Sequence, residues 1–176
     1  VADGLRYAHG KDIVHRDVKA SNVLLDYNGA PYLSDFGVAC AIGQMGTGGS
    51  LIAQSPQSLD NQPASAADDI FALGSLIFEL IAGRPPWSSA DITKGIRDEA
   101  AAPLIAVGGS VLARELTSLV ARMLDKDASK RPSAKEVATE LRQAGFAPHT
   151  ATISGGSAPR LDDEVIESVE SIRPVS

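Results

Sequence analysis

The 176-residue sequence predicts a mainly α-helical fold that carries a small antiparallel β-hairpin. Three observations support this prediction. Apolar residues recur at helical spacing in several segments. The Asn28-Gly29 pair, which suits a tight hairpin turn, separates two short apolar runs. The composition, 44% hydrophobic and 22% charged, is that of a soluble protein able to bury a core.

The first third of the chain is predicted to run from a helix through a polar loop into the hairpin. Residues 1–9 show the apolar spacing of the last turns of an amphipathic helix, and Gly10 ends it. Residues 22–33, NVLLDYNGAPYL, contain the two strands and their turn. Residues 39–55 carry four glycines with Thr and Ser and no clear periodicity, which predicts a long loop of the kind that tends to be functional.

Four helices are predicted in the rest of the chain. Residues 68–83, DDIFALGSLIFELIAG, are apolar on nearly every face, with an Asp start and a Gly stop, so we expect a helix buried in the core. Ser133 and Glu136 match a capping box. From residue 147 to 176 the composition predicts a flexible tail. The other predicted helices cover 89–100, 110–125 and 133–144.

Charge and cysteine content limit the function classes. The net charge is −6 and no Lys/Arg-rich run occurs, which excludes the basic footprint of a nucleic-acid binder. The single Cys40 cannot form an internal disulfide, so we expect a cytoplasmic protein. The longest apolar run, residues 70–82, is too short to span a bilayer. Val1 falls inside a helix already under way, which suggests a fragment.

A polar segment, HRDVKASN at residues 15–22, carries the candidate chemistry. Phosphoryl transfer requires an oriented hydroxyl, metal ions against the phosphates, and positive charge where negative charge develops. Asp17 can orient and deprotonate a hydroxyl, Lys19 can reach the transferred phosphoryl group, and Asn22 can bind Mg²⁺ through its amide oxygen. Asp35 follows the hairpin, which returns the chain to its start, so we expect Asp35 beside Asn22 as a second ligand.

HRDVKASN, followed thirteen residues after its Asn by DFG, resembles the catalytic loop and the metal-binding loop of the eukaryotic-type Ser/Thr protein kinase family. DDIFALG is similar to the start of that family's central buried helix, GRPPW to the segment after it, and RMLDKDASKRPSAKEV to its last helices. SPQ with SAADDIFALG resembles a bacterial branch. The resemblance implies the C-terminal lobe of a kinase catalytic domain over residues 1–146, followed by the tail.

The resemblance implies a role for each matching position. Asp17 would be the catalytic base, and Lys19 would contact the γ-phosphate of ATP and indicates Ser/Thr substrates. Asn22 and Asp35 would hold Mg²⁺. Asp69 would hold the backbone N–H groups of the catalytic loop, residues 15–22. The positions implied for packing of the active conformation are His15, Phe36 and Gly37.

A second set of implied roles is regulatory. Arg16 resembles the Arg of kinases that are switched by phosphorylation of the activation segment, here residues 35–57, where that Arg pairs with a phosphate. Thr47 is the first candidate phosphate acceptor. Ser50 stands where the family has a Thr that contacts the catalytic loop.

The end of the activation segment departs from the family pattern. Where the family usually has Ala-Pro-Glu, residues 55–57 read SPQ. In the family the Glu pairs with an Arg that corresponds to Arg131, and Gln57 can accept a hydrogen bond from this Arg but cannot neutralise it. Ala53 stands where many members have Tyr, on the side implied to face the substrate.

The Gly-rich loop, the strand Lys and its Glu partner that the family uses to bind ATP have no counterpart in the 176 residues. Residues 43–49, GQMGTGG, are no substitute because they follow DFG and lack a strand-to-helix context. We therefore expect transfer from MgATP to protein Ser/Thr hydroxyls only with an N-terminal lobe from a longer polypeptide. Two alternatives remain: a non-catalytic binding or scaffold module, and a small-molecule phosphotransferase of related fold.

Overall fold

The computed structural model, which describes residues 1–46, 48–106 and 114–146, contains mostly helices and two small antiparallel sheets. This arrangement confirms the mainly α-helical content and the small antiparallel pairing of the predicted fold class. The helices are α1 (Ala2–His9), α2 (Pro56–Leu59), α3 (Ala66–Ala82), α4 (Ile92–Asp98), α5 (Arg114–Met123) and α6 (Ala134–Gln143), and the strands are β1 (Ile13–Val14), β2 (Val23–Leu25), β3 (Pro31–Leu33) and β4 (Cys40–Ala41).

The predicted hairpin forms from β2 and β3, which pair in antiparallel register. Its turn is held by Asp26, whose Oδ1 accepts hydrogen bonds from the backbone N–H groups of Asn28 and Ala30, both at 2.8 Å. Gly29 has a φ of 79°, a left-handed conformation that glycine adopts without steric cost. The Asn-Gly pair lies in the turn, as the sequence predicts, but the turn spans residues 26–30 and only Gly29 of the pair has a positive φ.

A second two-stranded sheet was not predicted. β1 pairs with β4, so that Ile13 lies opposite Ala41 and Val14 opposite Cys40. Each strand has only two residues, too few to show the alternation by which strands are found in a sequence. The pairing brings the chain after DFG back beside the start of the catalytic loop.

The long helix α3 begins two residues earlier than predicted. Ser65 is its N-cap, and Asp68 occupies the third helical position, where the two residues form a capping box. The predicted Asp start was therefore wrong, since Asp68 accepts hydrogen bonds from Ser65 rather than standing at the N-cap itself. The helix ends at Gly83, whose φ of 65° gives the left-handed C-cap that the sequence predicts.

The later helices agree with the predictions except at their ends. α4 is shorter than predicted because the Asp91 side chain caps it, accepting hydrogen bonds from the N–H groups of Thr93 and Lys94. At α6 the predicted capping box of Ser133 and Glu136 is confirmed. α5 lies within the predicted 110–125, of which 110–113 are outside the described residues, as is the tail at 147–176. No helix in the described part of the chain is long and apolar enough to cross a membrane.

The core lies on two sides of α3. One buried cluster joins α3 to α1, α5 and α6, and the other joins it to α4, α5 and the loop around Trp87. The Trp87 ring stacks on Phe71 with ring centroids 5.6 Å apart, which confirms its predicted packing role. At Gly74 an added Cβ would lie 2.8 Å from the Cβ of Met123, so α3 and α5 approach too closely for any side chain there. This packing holds α3 in place and, with it, Asp69 in the first turn of the helix.

Candidate active site

The start of α3 supplies a buried carboxylate to the catalytic loop. Asp69 is fully buried, and its two oxygens accept the backbone N–H groups of His15 and Arg16, each at 2.8 Å. The structure thus places Asp69 where the resemblance implies. His9 Nε2, at the end of α1, lies 2.8 Å from the same carboxylate. His9 was not predicted, although a partly buried histidine six residues before His15 requires a polar partner.

His15 joins the catalytic loop to the segment that contains DFG. Its ring is fully buried, Nδ1 accepts the backbone N–H of Asp17 at 3.2 Å, and Nε2 donates to the carbonyl of Ser34 at 2.9 Å. The ring also makes an edge contact with Phe36 at a centroid distance of 4.5 Å. These contacts define one tautomer of the histidine and hold Asp17 and Ser34 in a fixed relation.

Three predicted residues converge at the end of the catalytic loop. Lys19 Nζ lies 2.7 Å from Asp17 Oδ2. Asn22 donates its amide N–H to the Asp17 carbonyl at 2.8 Å and to Asp17 Oδ2 at 3.0 Å. Asp17 and Asn22 are both buried, so these charge-assisted contacts are only weakly screened by water.

Ser50 brings the activation segment onto the same carboxylate. Its backbone N–H donates to Asp17 Oδ1 at 2.7 Å, and its hydroxyl accepts from Lys19 Nζ at 2.5 Å. Burial raises the pKa of Asp17, but hydrogen bonds from Lys19, Ser50 and Asn22 outweigh burial and lower it to about 2. Asp17 is therefore ionised at neutral pH, with both oxygens engaged.

The hairpin returns the chain to Asn22, as expected, and Asp35 follows. Ser34 donates its backbone N–H to the Asn22 carbonyl at 2.9 Å, and Asp35 is the next residue. Asp35 is exposed, has a φ of 63°, and accepts the N–H of Gly37 at 3.2 Å. A Cβ on Gly37 would lie 2.9 Å from that carboxylate oxygen.

The donor chemistry suits magnesium better than a transition metal. The described residues contain no group of three or more His, Cys, Asp and Glu side chains that could hold a metal ion by themselves. The Asn22 amide nitrogen is engaged by Asp17, which leaves its oxygen as a hard ligand, and Asp35 adds a carboxylate on the solvent side. Mg²⁺ is commonly bound by one or two such protein ligands together with substrate phosphates and water.

The predicted regulatory Arg16 points into the activation segment. Its backbone has a φ of 68°, and its Nη1 lies 3.5 Å from the Val38 carbonyl oxygen. A Cβ on Gly46 would lie 1.9 Å from the Arg16 guanidinium, so the side chain packs directly on the Gly46 backbone. Thr47, the predicted phosphate acceptor, is outside the described residues.

Gln57 and Arg131 meet at the end of the activation segment. Arg131 Nη2 donates to Gln57 Oε1 at 2.6 Å, and Gln57 Nε2 donates to the Lys126 carbonyl at 2.8 Å. The Arg131 guanidinium also lies over the Phe71 ring, 4.7 Å from its centroid. The hydrogen bond from Arg131 to Gln57 that the sequence predicts as possible is present. The Gln57 amide also donates a hydrogen bond, which a carboxylate could not do.

Comparisons with known proteins agree with this geometry. Residues 1–141 match the protein kinase domain family. The chain is 31% identical over 172 residues to Serine/threonine-protein kinase PkaA of Streptomyces coelicolor, covering 92% of this chain and 31% of the relative. It is 34% identical over 170 residues to PkaB of the same organism, covering 84% of this chain and 40% of the relative.

A plant relative shows the same partial overlap. Mitogen-activated protein kinase kinase kinase 1a of Physcomitrium patens is 35% identical over 142 residues, covering 76% of this chain and 18% of the relative. The chain therefore spans less than half the length of each of these relatives. Because the family match covers most of the chain and the predicted motifs lie within it, the chain belongs to the protein kinase family of the eukaryotic Ser/Thr type.

Proposed function

We propose that residues 1–146 are the C-terminal lobe of a Ser/Thr protein kinase that transfers the γ-phosphate of MgATP to protein hydroxyls. The observation that carries this proposal is the convergence of Lys19, Asn22 and Ser50 on the carboxylate of Asp17. A solvated polar loop has no need of a buried carboxylate with hydrogen bonds to both of its oxygens.

Each residue of this set has a distinct task in the proposed reaction. Asp17 orients the substrate hydroxyl and accepts its proton, while Lys19 places positive charge at the transferred phosphoryl group. Asn22 and Asp35 would hold Mg²⁺, which neutralises charge on the phosphates. The catalytic loop and the DFG segment are held together by the buried imidazole of His15, which contacts the Phe36 ring and the carbonyl before DFG. The Gly37 N–H closes the tight turn at Asp35.

The hydrogen bonds on Asp17 leave room for a substrate hydroxyl and change when the substrates bind. Asp17 Oδ1 accepts the Ser50 N–H, and a carboxylate oxygen can accept a second hydrogen bond, from a substrate hydroxyl. When Lys19 turns toward a phosphate, Asp17 loses the hydrogen bond that lowers its pKa most. Substrate binding therefore makes Asp17 a stronger base, which is what general base catalysis requires.

The exposed face of the hairpin supports the proposal that ATP binding needs a further part of a longer polypeptide. Leu24, Leu25 and Tyr27 are 56%, 68% and 90% exposed, an unusual density of apolar surface on a short hairpin. We expect this part to supply the Gly-rich loop and the strand Lys, so that the chain alone transfers no phosphate.

The proposed partners and regulation follow from the same site. The substrates are MgATP and a protein with Ser or Thr. The net negative charge of the chain disfavours nucleic acid as a partner. We also propose a cytoplasmic location. Phosphorylation of Thr47 would supply an anion for Arg16, which packs against Gly46 beside it. The resulting movement of the activation segment would control whether the Ser50 N–H stays bonded to Asp17.

The direct test is transfer of labelled phosphate from ATP to a generic basic protein. The chain, the chain extended by its natural upstream sequence, and the extended form with Asp17→Asn are compared. We expect activity in the extended form alone. Asp17→Asn should lower this activity at least about a thousandfold, because the group that orients the hydroxyl and accepts its proton is lost. Asp127→Asn, a change of an exposed carboxylate, is the matched control and retains activity.

An inactive extended form without Mg²⁺-dependent ATP binding would contradict the enzyme and favour a kinase-like scaffold. An extended form that phosphorylates small molecules but no protein would favour the related phosphotransferases.

A further inference from the structure

Arg131 is a buried cation that no carboxylate of the described residues contacts directly. It is 8% exposed, and its donors go to the carbonyls of Asp125, Ala67 and Lys126 and to the side-chain oxygen of Gln57. All four acceptors are neutral, and no ion pair involves Arg131 within residues 1–46, 48–106 and 114–146. A buried charge is costly unless an opposite charge nearby balances it.

Asp68 is the buried carboxylate that the Ala67 contact brings toward this guanidinium. It is 5% exposed and directly follows Ala67, whose carbonyl accepts from Arg131 Nη1 at 2.9 Å. Burial lowers the pKa of Arg131 to about 10, and the charge of Asp68 is the largest influence that counteracts this shift. The carboxylates of Asp125 and Asp127 contribute less, and Asp127 is exposed to screening by solvent.

Ser55 ties Asp68 to the activation segment. The fully buried Ser55 hydroxyl donates to Asp68 Oδ1 at 2.5 Å, while Asp68 Oδ2 accepts the N–H of Ser65 at 2.7 Å. Gln57, two residues after Ser55, holds Arg131. The SPQ segment thus contacts the carboxylate with its first residue and the guanidinium with its third.

We propose that Asp68, held by Ser55, is the positioning residue whose charge balances Arg131, in place of the Glu that the family usually has where Gln57 stands. The counter-charge has moved from the activation segment to the first turn of α3, and the segment is held between the two charges. Because Asp68 supplies the charge, Gln57 can use an amide to donate to the Lys126 carbonyl, a contact at 2.8 Å that a carboxylate would turn into a repulsion.

A double-mutant cycle on the chain as it exists tests this proposal without any assay of activity. Asp68→Asn is measured by urea unfolding in the natural background and in a Gln57→Glu background. If the charge of Asp68 is what matters, Asp68→Asn lowers the folding equilibrium constant about tenfold more in the natural background, because Gln57→Glu provides a second source of negative charge. Asp68→Asn should also accelerate hydrogen exchange at residues 55–59 more in the natural background than in the Gln57→Glu background.

Asp68 also belongs to the capping box of α3, so a control must separate capping from charge balance. Asp91→Asn removes a capping carboxylate from α4, and its cost should be equal in both backgrounds. Equal costs of Asp68→Asn in the two backgrounds would overturn the proposal and reduce Asp68 to a helix cap. If Asp68→Asn alone does not fold, the double variant with Gln57→Glu decides: a folded double variant supports the charge balance, and an unfolded one overturns it.

Discussion

Two buried charges hold the functional loops to the helices, and they are satisfied in different ways. The Asp69 anchor is a carboxylate that accepts two backbone N–H groups of the catalytic loop and contacts His9, all at 2.8 Å. The Arg131 anchor is a guanidinium that donates only to neutral oxygens of the described chain, one of them on Gln57 of the activation segment.

The difference indicates how rigid each loop should be. Asp69 contacts two consecutive N–H groups of the catalytic loop, so that loop cannot move without exposing buried donors or an unpaired charge. At Gln57 the activation segment is held by one hydrogen bond from a cation whose balancing charge lies elsewhere and by one to the Lys126 carbonyl. We therefore expect the activation segment to open at a lower free energy than the catalytic loop.

Breaking the Asp69 anchor should have the largest effect on stability. Asp69→Asn replaces an accepting oxygen with a donor that faces a backbone N–H, and it removes the charge. We expect the free energy of unfolding to fall by at least about 3 kcal/mol, measured by urea denaturation of the chain. Asp60→Asn, which alters an exposed pair with Arg97, should cost under about 1 kcal/mol. A cost of Asp69→Asn within that range would contradict the importance of the anchor.

Weakening the Arg131 anchor at Gln57 should cost less. Gln57→Ala removes the hydrogen bond from the guanidinium and the one to the Lys126 carbonyl, which together contribute about 2 kcal/mol. Hydrogen exchange should speed up at residues 50–59 and remain unchanged at residues 13–25.

Gln62→Ala is the matched control for this change, because Gln62 is an exposed glutamine in the same region. Equal acceleration of exchange in the catalytic loop would show that the two anchors form one cooperative unit. It would contradict the expectation that the activation segment opens at a lower free energy than the catalytic loop.

The two anchors also differ in how far the sequence predicted them. Asp69 and the catalytic loop follow from a dense motif in which each side chain has a chemical task, and the structure places Asp17, Lys19 and Asn22 together as that motif predicts. His9 and the second sheet were missed because a single histidine and strands of two residues carry no periodic signal. Their contacts come from tertiary packing, which local patterns do not encode.

At the Arg131 anchor the sequence predicted the departure but not its compensation. Gln57 in place of Glu was evident, and its hydrogen bond to Arg131 was considered from side-chain chemistry. The sequence predicts a helix start at Asp68 because Asp is a common N-cap, whereas in the structure Ser65 takes that position. Only the fold shows that Ser55 bonds to Asp68 and that Arg131 bonds to the carbonyl of the preceding residue, Ala67.

The smallest predicted effect comes from Lys126, a second cation beside the Arg131 anchor. Its Nζ lies 4.7 Å from the centroid of the Trp87 ring and donates to the carbonyls of Gly95 and Ile96 in α4. Burial, and then the charge of Arg131, lower the pKa of Lys126 to about 8.

This lowered pKa makes stability depend on pH in a defined direction. Between about pH 8 and 10 the folded chain has released the Lys126 proton while the unfolded chain still holds it, so the unfolded state binds more protons and the free energy of unfolding rises with pH. We expect a rise on the order of 1 kcal/mol, since partial solvation weakens the effect. Urea unfolding at several pH values, with Lys126→Met and Lys126→Arg as variants, measures it.

Both variants should lack this rise, because Met carries no charge and Arg keeps its charge throughout the range. Comparing each curve with that of the natural chain removes the contribution of other lysines and tyrosines, which titrate in all three proteins. If Lys126→Met keeps the full rise, Lys126 holds its proton to the usual pH, and the Arg131 anchor tolerates a second cation without cost. The weakness of that anchor would then lie in Gln57 alone.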